Sequence, residues 1–269
     1  MLVGVTALAL LTGCGDGLEE RSSITWPVSA TAAVVTVDSG GGLPPPDPAP
    51  SRFGEVPDFV LYGDGTGVWN ADGDFRSARL DEEGVRTVLG WADEAGLLSP
   101  DGVDTGEPQV YDVGVTRYEV TTDAGTVQTQ VDAPGFEDEA VGLSIGEIEA
   151  RARLEDFRQR LFDLPGALPE ARFLAPEGPF VAQGWELLAR PSTAYDSLAG
   201  DEPRWTFDDP SVVGRCRVVT GVDQARLEAD VGATGEGRVW AVDGEPWLVV
   251  ARPLLPGSAA PCPAHEPGP

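Results

Sequence analysis

The chain has 269 residues, enough for one large domain or two small ones, and its 41% apolar and 23% charged residues exclude wholesale disorder. Its charge is less ordinary: 45 acidic residues stand against 18 basic ones, every one an arginine, for a net charge of -27. A surface this acidic repels phosphate backbones and anionic headgroups, which excludes nucleic acid as a partner and surface charge as a means of holding a membrane.

Residues Leu2 to Leu11 (LVGVTALALL) form an uncharged apolar run followed by Thr12, Gly13 and Cys14. The run is too short to span a bilayer, which takes about 20 apolar residues, and has the length of a signal-peptide core. Leu11-Thr12-Gly13-Cys14 resembles the lipobox of bacterial lipoproteins. That resemblance implies a signal peptide over residues 1–13 and a diacylglyceryl group on the thiol of Cys14, the first mature residue. No Lys or Arg precedes the run, although an export signal normally opens with positive charge, so the true start is expected upstream of Met1. One acyl chain anchors marginally and two anchor stably, at about 0.8 kcal/mol per buried methylene, so lipid alone would hold the protein to the outer face of the cell membrane. With Cys14 lipidated, Cys216 and Cys262 remain in an oxidising compartment and are expected to pair, worth about 4 kcal/mol in the chain-entropy picture.

From Gly15 to about Thr31 the chain is mixed and polar and reads as a tether, completing a segment 14–31 whose root-mean-square span as a coil is roughly 20 Å. Ala33 to Val37 is the first strand, and Pro44-Pro45-Pro46-Asp47-Pro48 a stiff connector. Phe59 to Tyr62 and Gly67 to Trp69 form a hairpin around Asp64-Gly65. Asp81 caps a helix in which Val85, Val88, Leu89 and Ala92 recur at helical spacing until Gly96 ends it. Arg117 to Thr122 and Thr126 to Val131 make a second hairpin around Asp123-Ala124-Gly125. Ser144 and Glu147 form a capping box, and Ala150, Leu154, Phe157, Leu161 and Leu164 are the apolar stripe of the helix it opens.

Four prolines between Leu164 and Pro179 mark a boundary. The expected organisation is an N-terminal α+β domain over 32–165, a Pro-rich linker over 166–178, a C-terminal α+β domain with the disulfide over 179–262 and a disordered tail over 263–269. In the second domain, Trp185 to Leu188 and Arg215 to Val219 read as strands and Asp223 to about Val231 as a short helix. Val239 to Val242 and Trp247 to Ala251 read as a hairpin around Asp243-Gly244. Strand pairs joined by tight turns argue for an α+β fold of antiparallel sheets with packed helices, in two small units.

Val34 to Val37 with the glycines and prolines that follow, then Pro57 to Gly65, and the ending Trp247 to Val250, Arg252 to Pro256 and Cys262 are similar to a family of uncharacterised secreted lipoproteins from actinobacteria. The similarity covers most of the chain after residue 33 and departs at Gly67, where the family carries a larger residue. It implies export, lipidation and the terminal disulfide, and no particular reaction.

The chemistry available is narrow. The one histidine, His265, lies in the Pro-rich tail, which removes histidine triads and His-ligated zinc or iron. Without lysine there is no phosphate-loop lysine and no Schiff base. Asn70, Asp72, Asp74 and Asp81 place oxygen ligands as a calcium loop would, but Phe75 stands where that loop needs glycine, so weak calcium binding is the most they imply. Arg151, Arg153, Arg158 and Arg160 crowd one helix and read as its solvated face. The tryptophans read as core and hairpin residues. No cofactor and no catalytic residue is nominated. The expected function is a non-enzymatic binding or structural component of the cell envelope, with an envelope protein or cell-wall component as partner. A carboxylate-based hydrolase or binding module for cell-wall polysaccharide is the alternative.

Overall fold

The computed structural model describes residues 24–41, 56–71, 74–110, 112–137, 142–192, 217–219, 238–242 and 245–258. A seven-stranded sheet, rich in β-branched and aromatic residues on β1, β2, β5 and β6, is built from β1 (Ala33–Gly41), β2 (Phe59–Tyr62), β3 (Thr66–Ala71), β4 (Asp74–Leu80), β5 (Gly114–Thr122), β6 (Gly125–Asp132) and β7 (Phe173–Pro179), in the spatial order β6-β5-β1-β2-β3-β4-β7. A second sheet orders β8 (Trp185–Pro191), β9 (Arg217–Val219), β10 (Arg238–Val242) and β11 (Glu245–Pro253) as β10-β11-β8-β9. Every pairing is antiparallel, and the α+β class is the one expected.

Helices α1 (Glu82–Glu94) and α2 (Ile145–Phe162) cover one face of the first sheet. Local chemistry sets their ends. The Asp81 carboxylate accepts the Gly84 N–H at 2.6 Å, and Gly96, at φ +87°, lets Leu97 N–H reach back to the Ala92 carbonyl at 2.9 Å. Ser144 and Glu147 close a reciprocal capping box, and the Glu147 carboxyl is held below its usual range chiefly by the Ser144 N–H, then by its hydroxyl. Between sheet and helices, Val35, Val37, Phe59, Leu61 and Val120 meet Val85, Val88 and Leu89 of α1 and Leu154, Phe157 and Leu161 of α2. Tyr118 lies 6.3 Å from Phe157 between ring centroids, and burial pushes its phenol pKa up.

Three expectations are corrected. The tether does not extend to Thr31: the indole N–H of Trp26, 7% exposed, donates to the Gly63 carbonyl at 3.1 Å, and the Asp123 N–H donates to the Thr25 carbonyl at 2.9 Å, so the chain is already part of the body at Ile24. Residues 166–178 are not a linker. After a one-turn helix (Leu164–Ala167) they supply β7, which pairs with β4 and completes the first sheet. Pro176 and Pro179 are tolerated because β7 is an edge strand. Asp74 to Leu80, to which the sequence pattern assigns no element, is β4, paired with β3 in the register Asn70 to Phe75.

The arginines of α2 do not share a solvated face. Arg151 has no exposed side-chain surface and donates to the carbonyls of Thr105, Asp132 and Ala133, while its Nε lies 3.4 Å from Glu137. Arg160 joins Asp156 at 2.6 Å to Glu94 of α1 at 3.3 Å, Arg158 lies over the Phe162 ring, and Arg153 stays exposed.

The second sheet has its own small core of Trp185, Leu187, Ala189, Trp240, Val249 and Ala251. Trp240 and Trp247 stand directly opposite in the β10–β11 hairpin, as expected from their placement around a tight turn. Cys14, Cys216, Cys262, the segment 223–231 and the tail 263–269 lie outside the described residues.

Candidate binding face

Side chains alternate across a strand, so the first sheet has a second face opposite the helices. On β2, β3 and β4 this face is apolar: Val60, Tyr62, Val68 and Phe75 cluster there under Val56, Phe180 and Leu255. Phe180 N–H donates to the Phe75 carbonyl at 2.8 Å, so the segment leaving β7 and the one leaving β11 close over this half. Burial pushes the Tyr62 phenol pKa up.

On β1, β5 and β6 the same face is polar and open. The antiparallel registers line up Asp38, Arg117 and Gln130 in one row and Thr36, Glu119 and Gln128 in the next. These six side chains line a hollow of about 540 Å³ that is open to solvent. Its charges are held in place within the sheet. Arg117 Nη1 lies 3.7 Å from Asp38 Oδ2, Gln128 donates to the Glu119 carboxylate, and Gln130 donates to Asp132 at 2.7 Å. A pre-ordered row of amides, carboxylates and one guanidinium presents donors and acceptors to a polar partner at low entropic cost. None of these residues was nominated from the sequence, although polar residues at every second position of the Thr-rich hairpin, 117, 119 and 121 against 126, 128 and 130, carry the signal.

The structure does not gather the four calcium candidates. Asp74 pairs with Ala71 at the end of the β3–β4 ladder and Asn70 pairs with Phe75 one step in, while Asp72 lies outside the described residues. Asp81 sits at the other end of β4, about 23 Å away at 3.3 Å per residue, where it caps α1 and pairs with Arg172 at 3.4 Å. Among the described residues there is no group of three or more His, Cys, Asp or Glu positioned to hold a metal ion. Glu186, with no exposed side-chain surface, is ion-paired to Arg252 directly opposite on β11. Trp26, Trp69, Trp91, Trp185 and Trp240 are buried and Trp247 is partly buried, so none of the six offers an open ring for stacking on a sugar. No protein-family model matches the chain, and no curated protein matches it in sequence.

Proposed function

We propose that this protein is an extracytoplasmic lipoprotein, anchored by lipid on Cys14 to the outer face of the cell membrane, whose open half-face binds a polar component of the cell envelope without acting on it chemically. The observation that carries the reading is the contrast on one sheet face: where β2 to β4 are apolar the chain covers them, and where β1, β5 and β6 are polar it leaves them open. A hollow lined by paired carboxylates, amides and an arginine suits hydrogen bonding to an envelope protein or wall glycan. The lipobox-like Leu11 to Cys14 and the similarity to secreted actinobacterial lipoproteins support the location. A Cys216–Cys262 disulfide belongs to the same reading. Arg217, next to Cys216, pairs with Leu187 of β8, and β11 ends nine residues before Cys262, within reach for a chain spanning up to about 3.5 Å per residue. Thiol titration of the denatured mature chain should find no free thiol.

The alternative, a wall hydrolase, would draw on Asp38 and Glu119, diagonal neighbours on adjacent strands and therefore about 7 to 8 Å apart at the backbone. Both are already engaged, by Arg117 and Gln128, which favours binding. Incubation of the chain lacking Cys14 with cell-wall fragments and with an envelope protein extract tests the two. Retention that Arg117→Glu abolishes, with the fragments intact, supports binding. Fragments shortened by wild type and spared by Asp38→Asn or Glu119→Gln establish the hydrolase, and retention unaffected by Arg117→Glu rules out this face.

A further inference from the structure

The segment that enters the body runs across one end of the first sheet, bonded to the β2–β3 turn through Trp26 and Gly63 and to the β5–β6 turn through Thr25 and Asp123. Beside it lies a groove of about 490 Å³ whose apolar lining includes Ile24, Trp26, Val28, Val85 and Leu174. Val28 and Leu174 are 81% and 65% exposed, among the most exposed large apolar side chains of the described residues, and they come from segments more than 140 positions apart in sequence. Several of the charges around them are paired: Arg79 lies 3.7 Å from Asp64, Arg86 lies 2.7 Å from Glu82 and 2.8 Å from Glu83, and Arg172 lies 3.4 Å from Asp81, while Asp123 also lines the groove. Arg86 also stacks over the Trp26 ring at 5.6 Å.

Nine residues lie between Cys14 and Ile24, and the ten steps from one to the other reach at most about 36 Å fully extended. The segment is bonded to the turns at that end of the sheet, so a lipid on Cys14 would lie within that reach of the groove. We infer that this end rests on the bilayer, with Val28 and Leu174 set into the headgroup boundary. The inference rests on lipidation of Cys14. Two apolar side chains bind a membrane weakly on their own, and a short tether makes the contact effective by holding them at high local concentration. Arginine pairing offsets part of the acidic charge beside the groove, and zwitterionic headgroups carry no net charge to repel the rest. Held this way, the strands stand up from the membrane and the polar hollow on β1, β5 and β6 faces sideways along it, toward partners anchored in the same surface.

Hydrogen exchange of the full lipidated chain on phosphatidylcholine vesicles tests this, with the Cys14→Ser chain and the same vesicles as reference. The amides of Thr25, Trp26, Val28 and Leu174 should exchange roughly fivefold to tenfold more slowly when the chain is anchored. Val28→Glu with Leu174→Glu should remove that protection while the protein still floats with the vesicles. Ile145→Glu, at an exposed site elsewhere, should leave it in place. Unchanged exchange on anchored chain, protection centred on Ile145 or Val181, or protection that survives the double substitution would overturn the docking. A lipidated preparation that fails to float would instead overturn the anchor.

Discussion

The second face of the seven-stranded sheet is two surfaces joined along β1. On β2 to β4 it carries Val60, Tyr62, Val68 and Phe75, and the chain folds Phe180 and Leu255 onto it. On β1, β5 and β6, across the same pleat and hydrogen-bonded to the same ladder, it carries Thr36, Asp38, Arg117, Glu119, Gln128 and Gln130, and stays open. Backbone geometry is common to both halves, so side-chain chemistry alone decides which is buried. Apolar area removed from water returns about 25 cal/mol per Å², whereas covering the polar rows would strand donors and acceptors at a cost for each. One half contributes to stability. The other is left for a partner.

The two halves should therefore respond differently to substitution. The largest effect sets the scale from outside both halves: Arg151→Ala, on the helix face of the sheet, removes a buried guanidinium from three backbone carbonyls and Glu137 and should cost about 3 kcal/mol or more in denaturant unfolding. Phe75→Ala should cost about 3 kcal/mol by the same measurement and loosen the cover formed by Phe180, read as faster exchange at the Phe180 amide. A loss below 1 kcal/mol would mean that this half is not a core.

Next comes the clamp on α2. Ser144→Ala should lower stability by about 1 kcal/mol. The Glu147 carboxyl is depressed in the folded state, so its contribution is present above the unfolded value of 4.5 and is lost as pH falls through the folded one. Glu147→Gln should consequently lose less Tm than wild type between pH 6 and pH 3, and an equal loss would remove the charge from the account. The smallest stability effect is expected on the open half. Arg117→Ala and Gln128→Ala should stay within about 0.5 kcal/mol of wild type while retention of an envelope partner falls. A large destabilisation there would make the rows structural and erase the contrast between the halves.

The elements read correctly from sequence are those whose signal is local. The turn at Asp64-Gly65, the Asp81 cap and the Ser144–Glu147 box each lie within about one turn of chain, and the stripe from Ala150 to Leu164 repeats at a three- or four-residue spacing. β4 and β7 were hidden for the opposite reason. Asp74 to Leu80 is largely polar and Phe173 to Pro179 carries two prolines, so neither has a strand pattern of its own, and each is a strand because of its neighbours. Arg151 misleads similarly, since a fourth arginine on a helix looks solvated until two loops place carbonyls around it. In the candidate face the alternation of polar residues on β5 and β6 was visible. That Thr36 and Asp38 join them from β1, some 80 positions away, was not.

Sequence by itself determined the α+β class, the hairpins, the two capped helices, the chemistry that is missing and the expectation of a lipid anchor at Cys14, because each depends on residue type or on spacing along a few residues. Tertiary structure decided where the body begins, that the apparent linker is an edge strand, that Arg151 is buried and which half of a sheet face remains open. Those outcomes turn on pairing and burial between distant segments, whose free energy belongs to the contact and to neither sequence stretch alone.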